Sequence, residues 1–206
     1  MASERIADRT AGWLGVAFLI TLLASEAALS LPDEHAAASM VATFYAEHRA
    51  VIIVLQIVGF AGSALFALFA WRLRVVNRGV AIAGLVLAVT TLAPGLITLI
   101  LALVADPQHT SSAGTYNQLE PRGDDLLFVG ITLFAASVLL FLRRSPLWLS
   151  VVAAIVVLLC LLRLLLEALG RPRGLLDALA PLSFLVLVAA LTWLSFRGFP
   201  RAQSAE

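Results

Sequence analysis

The chain has 206 residues, of which 61% are hydrophobic and only 13% charged, and its formal net charge is +1. A soluble domain of this length cannot hide that much apolar surface, so the composition points to one polytopic membrane domain covering residues 1–206. The net charge makes no case for a nucleic-acid partner, and the single cysteine, Cys160, excludes an internal disulfide and CxxC redox or iron–sulfur chemistry within one chain.

The N-terminal stretch is polar and carries Arg5 and Arg9. A first apolar run over 11–31 is interrupted by Glu26 and is long enough to span if Glu26 is shielded. Two arginines ahead of an apolar core, with small residues at Ser25-Glu26-Ala27, also suit a cleaved signal, which is the alternative to a retained span.

The next stretch, PDEHAAASMVATFYAEHR over 32–49, cannot lie inside a bilayer and reads as an amphipathic helix. Ser30 is placed to cap it, with Pro32 in the first turn and Asp33 three residues after the cap. Asp33 and Glu34 then sit at the positive end of the helix dipole. Ala37, Met40, Val41, Phe44 and His48 share one face. The preferred expectation is an interfacial helix anchored by Phe44 and Tyr45. The alternative is a lid over a cavity between the spans, with Glu47, His48 and Arg49 pointing into it.

Further apolar runs over 50–71, 80–105, 125–142, 147–169 and 176–196 each approach the length that crosses a hydrocarbon core. The predicted architecture is therefore all-α: a polytopic membrane helix bundle of six transmembrane helices plus the amphipathic outer helix, with a long loop around 106–124. Ala11 and Gly15, and Gly59 and Ser63, are small residues four apart and predict close helix approach. Pro94-Gly95 predicts a break in the third span, with Thr90, Thr91 and Thr98 near enough to satisfy the freed carbonyls.

All fourteen basic residues are arginine, a bias that suits a GC-rich bacterial genome. Arg5, Arg9, Arg72, Arg74, Arg78, Arg143, Arg144, Arg197 and Arg201 fall on one side of the predicted threading. That side is expected to be cytoplasmic, with both termini inside a bacterial plasma membrane.

Polar residues inside spans are costly and face a bundle interior or each other. Here they gather toward the non-cytoplasmic side: Glu26, Gln56, Arg163 and Glu167. The expectation is an outward-facing cavity, with Arg163 and Glu167, four apart, able to pair. Asp124, Asp125 and Asp177 begin spans and are expected to be interfacial. The candidate ligand-binding residues are Glu26, Gln56, Glu47, His48, Arg49, Arg163 and Glu167, with Glu26 and Glu167 the candidate acid–base groups. His35, His48 and His109 match no metal-binding spacing, and no nucleotide, haem or hydrolase motif is present. No metal or cofactor is predicted.

At FYAEHR (44–49) and RRSPLWLSVVA (143–153), the chain resembles a family of uncharacterised actinobacterial integral membrane proteins. Those proteins are similar in having six spans, a first outer loop ending in such a segment, a long second outer loop, and a Pro-Leu-Trp-Leu-like start to the fifth span. The resemblance implies the same threading and no established activity. The expected partners are membrane lipids, with a lipid or isoprenoid ligand in the outer cavity. Binding of such a ligand ranks ahead of a membrane-embedded enzyme acting on a lipid or isoprenoid substrate, and a small transporter comes third.

Overall fold

In hydrocarbon the backbone N–H and C=O groups find partners only within their own segment, so each long apolar run becomes a helix. The computed structural model describes residues 5–26, 29, 31–32, 36–142 and 146–200. Its helices are α1 (Arg9–Glu26), α2 (Ala38–Glu47), α3 (Arg49–Arg72), α4 (Arg78–Thr90), α5 (Leu92–Val104), α6 (Ser111–Phe141), α7 (Leu147–Ala168) and α8 (Leu176–Arg197). Five segments are long and apolar enough to cross a membrane: Arg49–Val75, Arg78–Val104, Ala113–Phe141, Leu147–Ala168 and Leu176–Arg197. Helix α1, apolar over Arg9–Ser25, is shorter. These helices mark a multi-pass membrane protein.

The helices close into a ring. Helix α1 packs on α3, α3 on α4 and α5, those two on α6, α6 on α7, α7 on α8, and α8 back on α1. Trp13, Val54, Ile82, Leu133, Leu158 and Val186 point out of the ring and are exposed, as a lipid-covered surface requires. Inside, four phenylalanines from α1, α3, α6 and α8 meet: Phe18–Phe66 at 4.9 Å, Phe66–Phe134 at 5.5 Å and Phe66–Phe184 at 6.0 Å between ring centroids.

Small residues set the closest approaches. A Cβ on Gly15 would overlap the Thr192 hydroxyl of α8, and one on Gly130 would overlap the Thr90 hydroxyl of α4. The predicted contact face of Ala11 and Gly15 is therefore present, and Ala11 is buried. Gly59 differs from expectation. A Cβ there would meet nothing within 4 Å, because this part of α3 borders open space rather than a neighbouring helix.

The predicted break near Pro94-Gly95 separates α4 from α5 at Thr91. Pro94 has no N–H to donate, so the helical ladder is interrupted one turn earlier. The Thr90 hydroxyl donates to the Leu87 carbonyl at 2.9 Å, and the Thr91 hydroxyl lies 2.8 Å from the Ala88 carbonyl and 2.9 Å from Ser63 Oγ. Thr98 turns elsewhere, to Glu120.

At one end of the ring, a two-residue antiparallel ladder pairs β1 (Arg5–Ile6) with β2 (Phe199–Pro200), in the register Arg5↔Pro200 and Ile6↔Phe199. Gly198, at φ 91°, makes the turn out of α8 that this requires. Asp8 Oδ1 accepts from the Ala11 N–H at 3.1 Å, and the same carboxylate accepts from Arg72 Nε at 2.9 Å. We call this the ladder end and the opposite one the cavity end.

Two expectations at the cavity end are corrected. The amphipathic helix starts at Ala38 rather than Pro32, after an extended Ala37 (ψ 137°). The cap proposed at Ser30 and Asp33 lies outside the described residues. Its buried face is Val41, Ala42 and Tyr45, while Met40 is 62% exposed. Those three side chains join Leu101 and Ala102 of α5 and Ala113 of α6 in one apolar cluster. Contact with other helices thus sets the rotation of α2, and Tyr45 is core rather than an interfacial anchor. Second, the loop expected around 106–124 is mostly helix. α6 starts at Ser111 and, at 31 residues, is about 46 Å long. Its first turns carry polar residues because they pack beside α2 rather than against lipid.

Candidate functional site

Arg163 lies five residues before the end of α7, in the run Leu-Leu-Arg-Leu-Leu-Leu. It is the largest fully buried side chain, at 1% exposure. A guanidinium there is tolerated only when paired and hydrogen-bonded. Two helices deliver the partners. Arg163 Nη1 donates to Asp125 Oδ1 of α6 at 3.1 Å, and Nε donates to Asp177 Oδ1 of α8 at 3.0 Å. The guanidinium carbon also stands 3.9 Å from the centre of the Phe128 ring, one turn along α6 from Asp125. Asp177 sits in the first turn of α8, where the helix dipole favours its charge.

The turn between α7 and α8 adds a second arginine. Helix α7 ends with Gly170 at φ 61°, the Gly170 N–H donating to the Glu167 carbonyl and the Arg171 N–H to Leu166, both at 2.9 Å. This pairing needs a left-handed residue, which glycine supplies without strain. The chain then returns so that Arg173 Nη1 reaches Glu167 Oε2 and Arg173 Nε reaches Asp177 Oδ2, each at 3.3 Å. The result is a chain of ion pairs: Glu167, Arg173, Asp177, Arg163, Asp125. The expected pairing of Arg163 with Glu167 inside α7 is replaced by inter-helix pairs, because Asp125 and Asp177 lie at the depth of Arg163 and Arg173 lies beside Glu167.

Arg163, Arg173 and Asp177 of this chain of charges lie on the rim of a cavity of about 940 Å³ at the cavity end. Its floor includes Phe18 and Phe184 of the phenylalanine cluster. Its walls include Leu22, Leu55, Phe60 and Leu127, and its polar lining includes Gln56, Thr98, Glu120, Asp124, Arg163, Arg173 and Asp177. Gln56 faces the α4–α5 break: a Cβ on Gly95 would meet its Oε1 at 2.9 Å. Thr98 Oγ1 donates to Glu120 Oε1 at 3.2 Å. Behind them lies the buried Tyr45 hydroxyl, next to Thr98 and Glu120. Burial raises its pKa, the charge of Glu120 raises it further, and Thr98 opposes the shift.

Of the residues singled out from sequence, Gln56 and Arg163 line this cavity. Glu167 lies outside the lining and holds Arg173 from behind. The helix α1 backbone reaches Glu26, whose side chain is outside the described residues. The expected lid residues point elsewhere. Glu47 is exposed. His48 is stacked on Phe44 with ring centroids 4.5 Å apart, its Nδ1 3.0 Å from the Phe44 carbonyl. Arg49 Nη2 donates to the Ala105 carbonyl at 2.7 Å, closing the C-terminus of α5. None of the three lines the cavity.

Sequence reasoning assigned Asp125 and Asp177 to the interface and Thr98 to the Pro94 break, and did not single out Arg173 or Glu120 as site residues. A signal for the first two was available. An arginine several residues inside a span needs acids at its own depth, and Asp125 and Asp177 are at that depth on the neighbouring helices.

Chemically, the arrangement can hold a polar head against a fixed lattice of charge while an apolar body lies over phenylalanine and leucine. No protein-family model matches this chain, and no curated protein or solved structure matches it.

Proposed function

We propose that this chain is a six-span protein of the bacterial plasma membrane that binds a lipid or small apolar molecule in the cavity. The observation that carries the proposal is the combination of an apolar floor with a charged rim in one cavity. Helix α1 counts as the sixth span in this proposal, since it takes its place in the ring beside α3 and α8. Orientation follows the arginines. Arg9, Arg72, Arg74, Arg78 and Arg197 cluster at the ladder end, which supports a cytoplasmic ladder end and an outward-facing cavity. The phenylalanine cluster below the cavity favours binding over passage, which weighs against a transporter. A membrane-embedded enzyme on a lipid or isoprenoid substrate is the second reading. It is favoured by the carboxylates Glu120, Asp124 and Asp177 on the rim, which are placed to exchange protons with a bound head group.

Gly59 supplies the test. It lines the cavity and a Cβ there meets nothing within 4 Å, so Gly59→Leu projects an apolar side chain into the space a ligand would occupy. Native mass spectrometry with organic extraction is expected to find a discrete apolar molecule on the wild type and none on Gly59→Leu. Bulk phospholipid alone on both proteins would refute the proposal. Labelling of Arg171→Cys but not Arg74→Cys in intact cells is the expected result for orientation, against a low background because Cys160 is buried.

A further inference from the structure

We infer that the cavity is filled from the side, by a long-chain lipid of the surrounding bilayer whose hydrocarbon tail passes between α1 and α8. The inference rests on the cavity-binding proposal and deepens it by naming the class of ligand and its route.

The seam between α1 and α8 is closed at one level and open at the next. Toward the ladder end the two helices interlock. A Cβ on Gly12 would overlap the Phe196 ring, and one on Gly15 would overlap the Thr192 hydroxyl. Phe18 then meets Phe184 edge-on, with ring centroids 6.5 Å apart, and both are 5% exposed. Beyond that contact the burial of α1 stops. No residue from Leu19 to Ser25 is buried, and Leu23 is 55% exposed. Helix α8 shows the same gradient. The stripe that carries Thr192 runs back through Leu185, Pro181 and Ala178 at helical spacing. Thr192 is buried, Leu185 and Pro181 are half-buried, and Ala178 is exposed. Leu182, at the edge of the stripe, is 54% exposed. One face of α8 is thus covered by α1 at one end and uncovered at the other. At this level α1 keeps to α3 instead: a Cβ on Gly62 would lie 3.3 Å from the Thr21 methyl group. The uncovered reach is two turns of each helix, about 10 Å.

A second observation joins this gap to the cavity. Among the described residues of the lining, the exposed ones are Leu23 of α1, Leu31 shortly after it, and Asp177, Ala178 and Leu182 of α8. The residues that α3, α5 and α6 contribute face the same space and are buried or half-buried. A place in the lining therefore does not by itself expose a side chain, and the cavity meets the outer surface along the α1–α8 seam.

The chemistry of the edges selects what enters. Leu22 and Leu23 stand on one side, Leu182 and Leu185 on the other. An opening edged by leucine on the flank of a membrane helix meets lipid chains rather than water. Phe18 and Phe184 form the closed end of the seam and also the cavity floor. A chain that enters here lies against them.

The test labels that floor from the membrane. Cells making the full-length protein are fed a palmitic acid that bears a diazirine in its chain, which they build into their own phospholipids. Their membranes are irradiated, and adducts are mapped by peptide mass spectrometry. The wild type is expected to carry label at Phe18 or Phe184, which a closed ring would keep from lipid. The double variant Leu23→Trp, Leu182→Trp crowds the opening at two exposed sites and is expected to lose that label. Leu158→Trp, at an exposed site of α7 outside the lining, is expected to keep it. An unlabelled floor in the wild type would overturn the inference, as would full label in the double variant. An unlabelled floor with a native mass of two chains would assign the seam to a second copy of this chain, and that also overturns it. Extraction of the wild type and Gly59→Leu judges the underlying proposal separately. A discrete molecule lost on Gly59→Leu, beside an unlabelled floor, leaves cavity binding standing without this route. Bulk phospholipid alone on both proteins removes the proposal and the inference with it. Should the double variant not fold, Ala178→Trp takes its place.

Discussion

At the ladder end, arginines stand at helix ends and reach outward. Arg72 is 44% exposed and holds Asp8, and Arg74 and Arg197 lie over Trp71 and Trp193 at 4.1 and 4.6 Å. At the cavity end, Arg163 has turned inward, is buried, and takes its counter-ions from two other helices. The same residue type is therefore a surface feature at one end and a tertiary constraint at the other. The difference lies in solvent. An arginine near water needs no partner, whereas one in the apolar interior fixes which helices neighbour it and at what depth their acids lie. Packing differs in parallel. Gly15 and Thr192 interlock toward the ladder end, while the helices around the ion pairs stand far enough apart to leave a cavity.

Four experiments would break or sharpen this contrast. The largest effect is expected from Arg163→Leu, which leaves Asp125 and Asp177 without their shared cation. Removing one partner of a fully buried pair costs roughly 3–5 kcal/mol; here Asp125 and Asp177 are 31% and 46% exposed, so the loss should fall below that range yet still show as a clear fall in thermal unfolding temperature, with partial recovery on adding Asp125→Asn. Arg72→Ala should barely move that temperature, and similar losses for the two variants would erase the distinction.

Next comes the glycine pair. Gly15→Ala drives a methyl group into Thr192 and should cost about 1–3 kcal/mol, most of it recovered by adding Thr192→Ala. Gly59→Ala meets only the cavity and should be neutral or stabilising by up to about 1 kcal/mol. A loss at Gly59 would mean that this wall is packed after all.

A smaller loss, about 1 kcal/mol, is expected for Arg49→Ala, which removes one charged hydrogen bond to the end of α5 at an exposed site. If Arg49 lay in the cavity, this change would instead alter ligand retention and leave stability untouched.

The smallest effect concerns Asp8. Burial acts to raise its pKa, but the hydrogen bonds from Arg72 and Ala11 prevail and hold it below its ordinary value of 3.8. A lowered folded-state pKa gives stability that is present above the ordinary value and lost as pH falls through the lowered one. Asp8→Asn should therefore be slightly less stable than the wild type at neutral pH, and the two should converge below about pH 3. A gap that persists in acid would assign the effect to shape rather than charge.

Much of the fold was legible because hydrocarbon leaves few options. The runs at 147–169 and 176–196 became Leu147–Ala168 and Leu176–Arg197, and Pro94-Gly95 marked the break between α4 and α5. Helix α6 was half legible. Its polar start, with Pro121, resembles a loop, and what makes it helical is its seat against α2, a tertiary fact. The site divides the same way. Depth along the spans located Gln56 and Arg163. It did not reveal that helix-end acids turn inward, since Asp125 and Asp177 resemble ordinary interfacial aspartates until Arg163 is placed between them. The segment from Glu47 to Arg49 was legible as the end of a helix but not in its direction, because Val41, Ala42 and Tyr45 decide how α2 is turned.

The closed ring has a consequence for how the protein is made. The seam is sealed by α1 meeting α8, two helices far apart in the chain: Trp13 lies edge-on to Phe196 at 5.5 Å, and the Asp8 N–H donates to the Ser195 carbonyl at 2.9 Å. A nascent chain that has delivered α7 but not α8 holds Arg163 with Asp125 and without Asp177, and leaves the glycine face of α1 bare. The cavity has no complete wall until the first half of α8, through Leu185, is in place. Chains stalled before α8 would hold the Arg163 guanidinium with only one of its two acids.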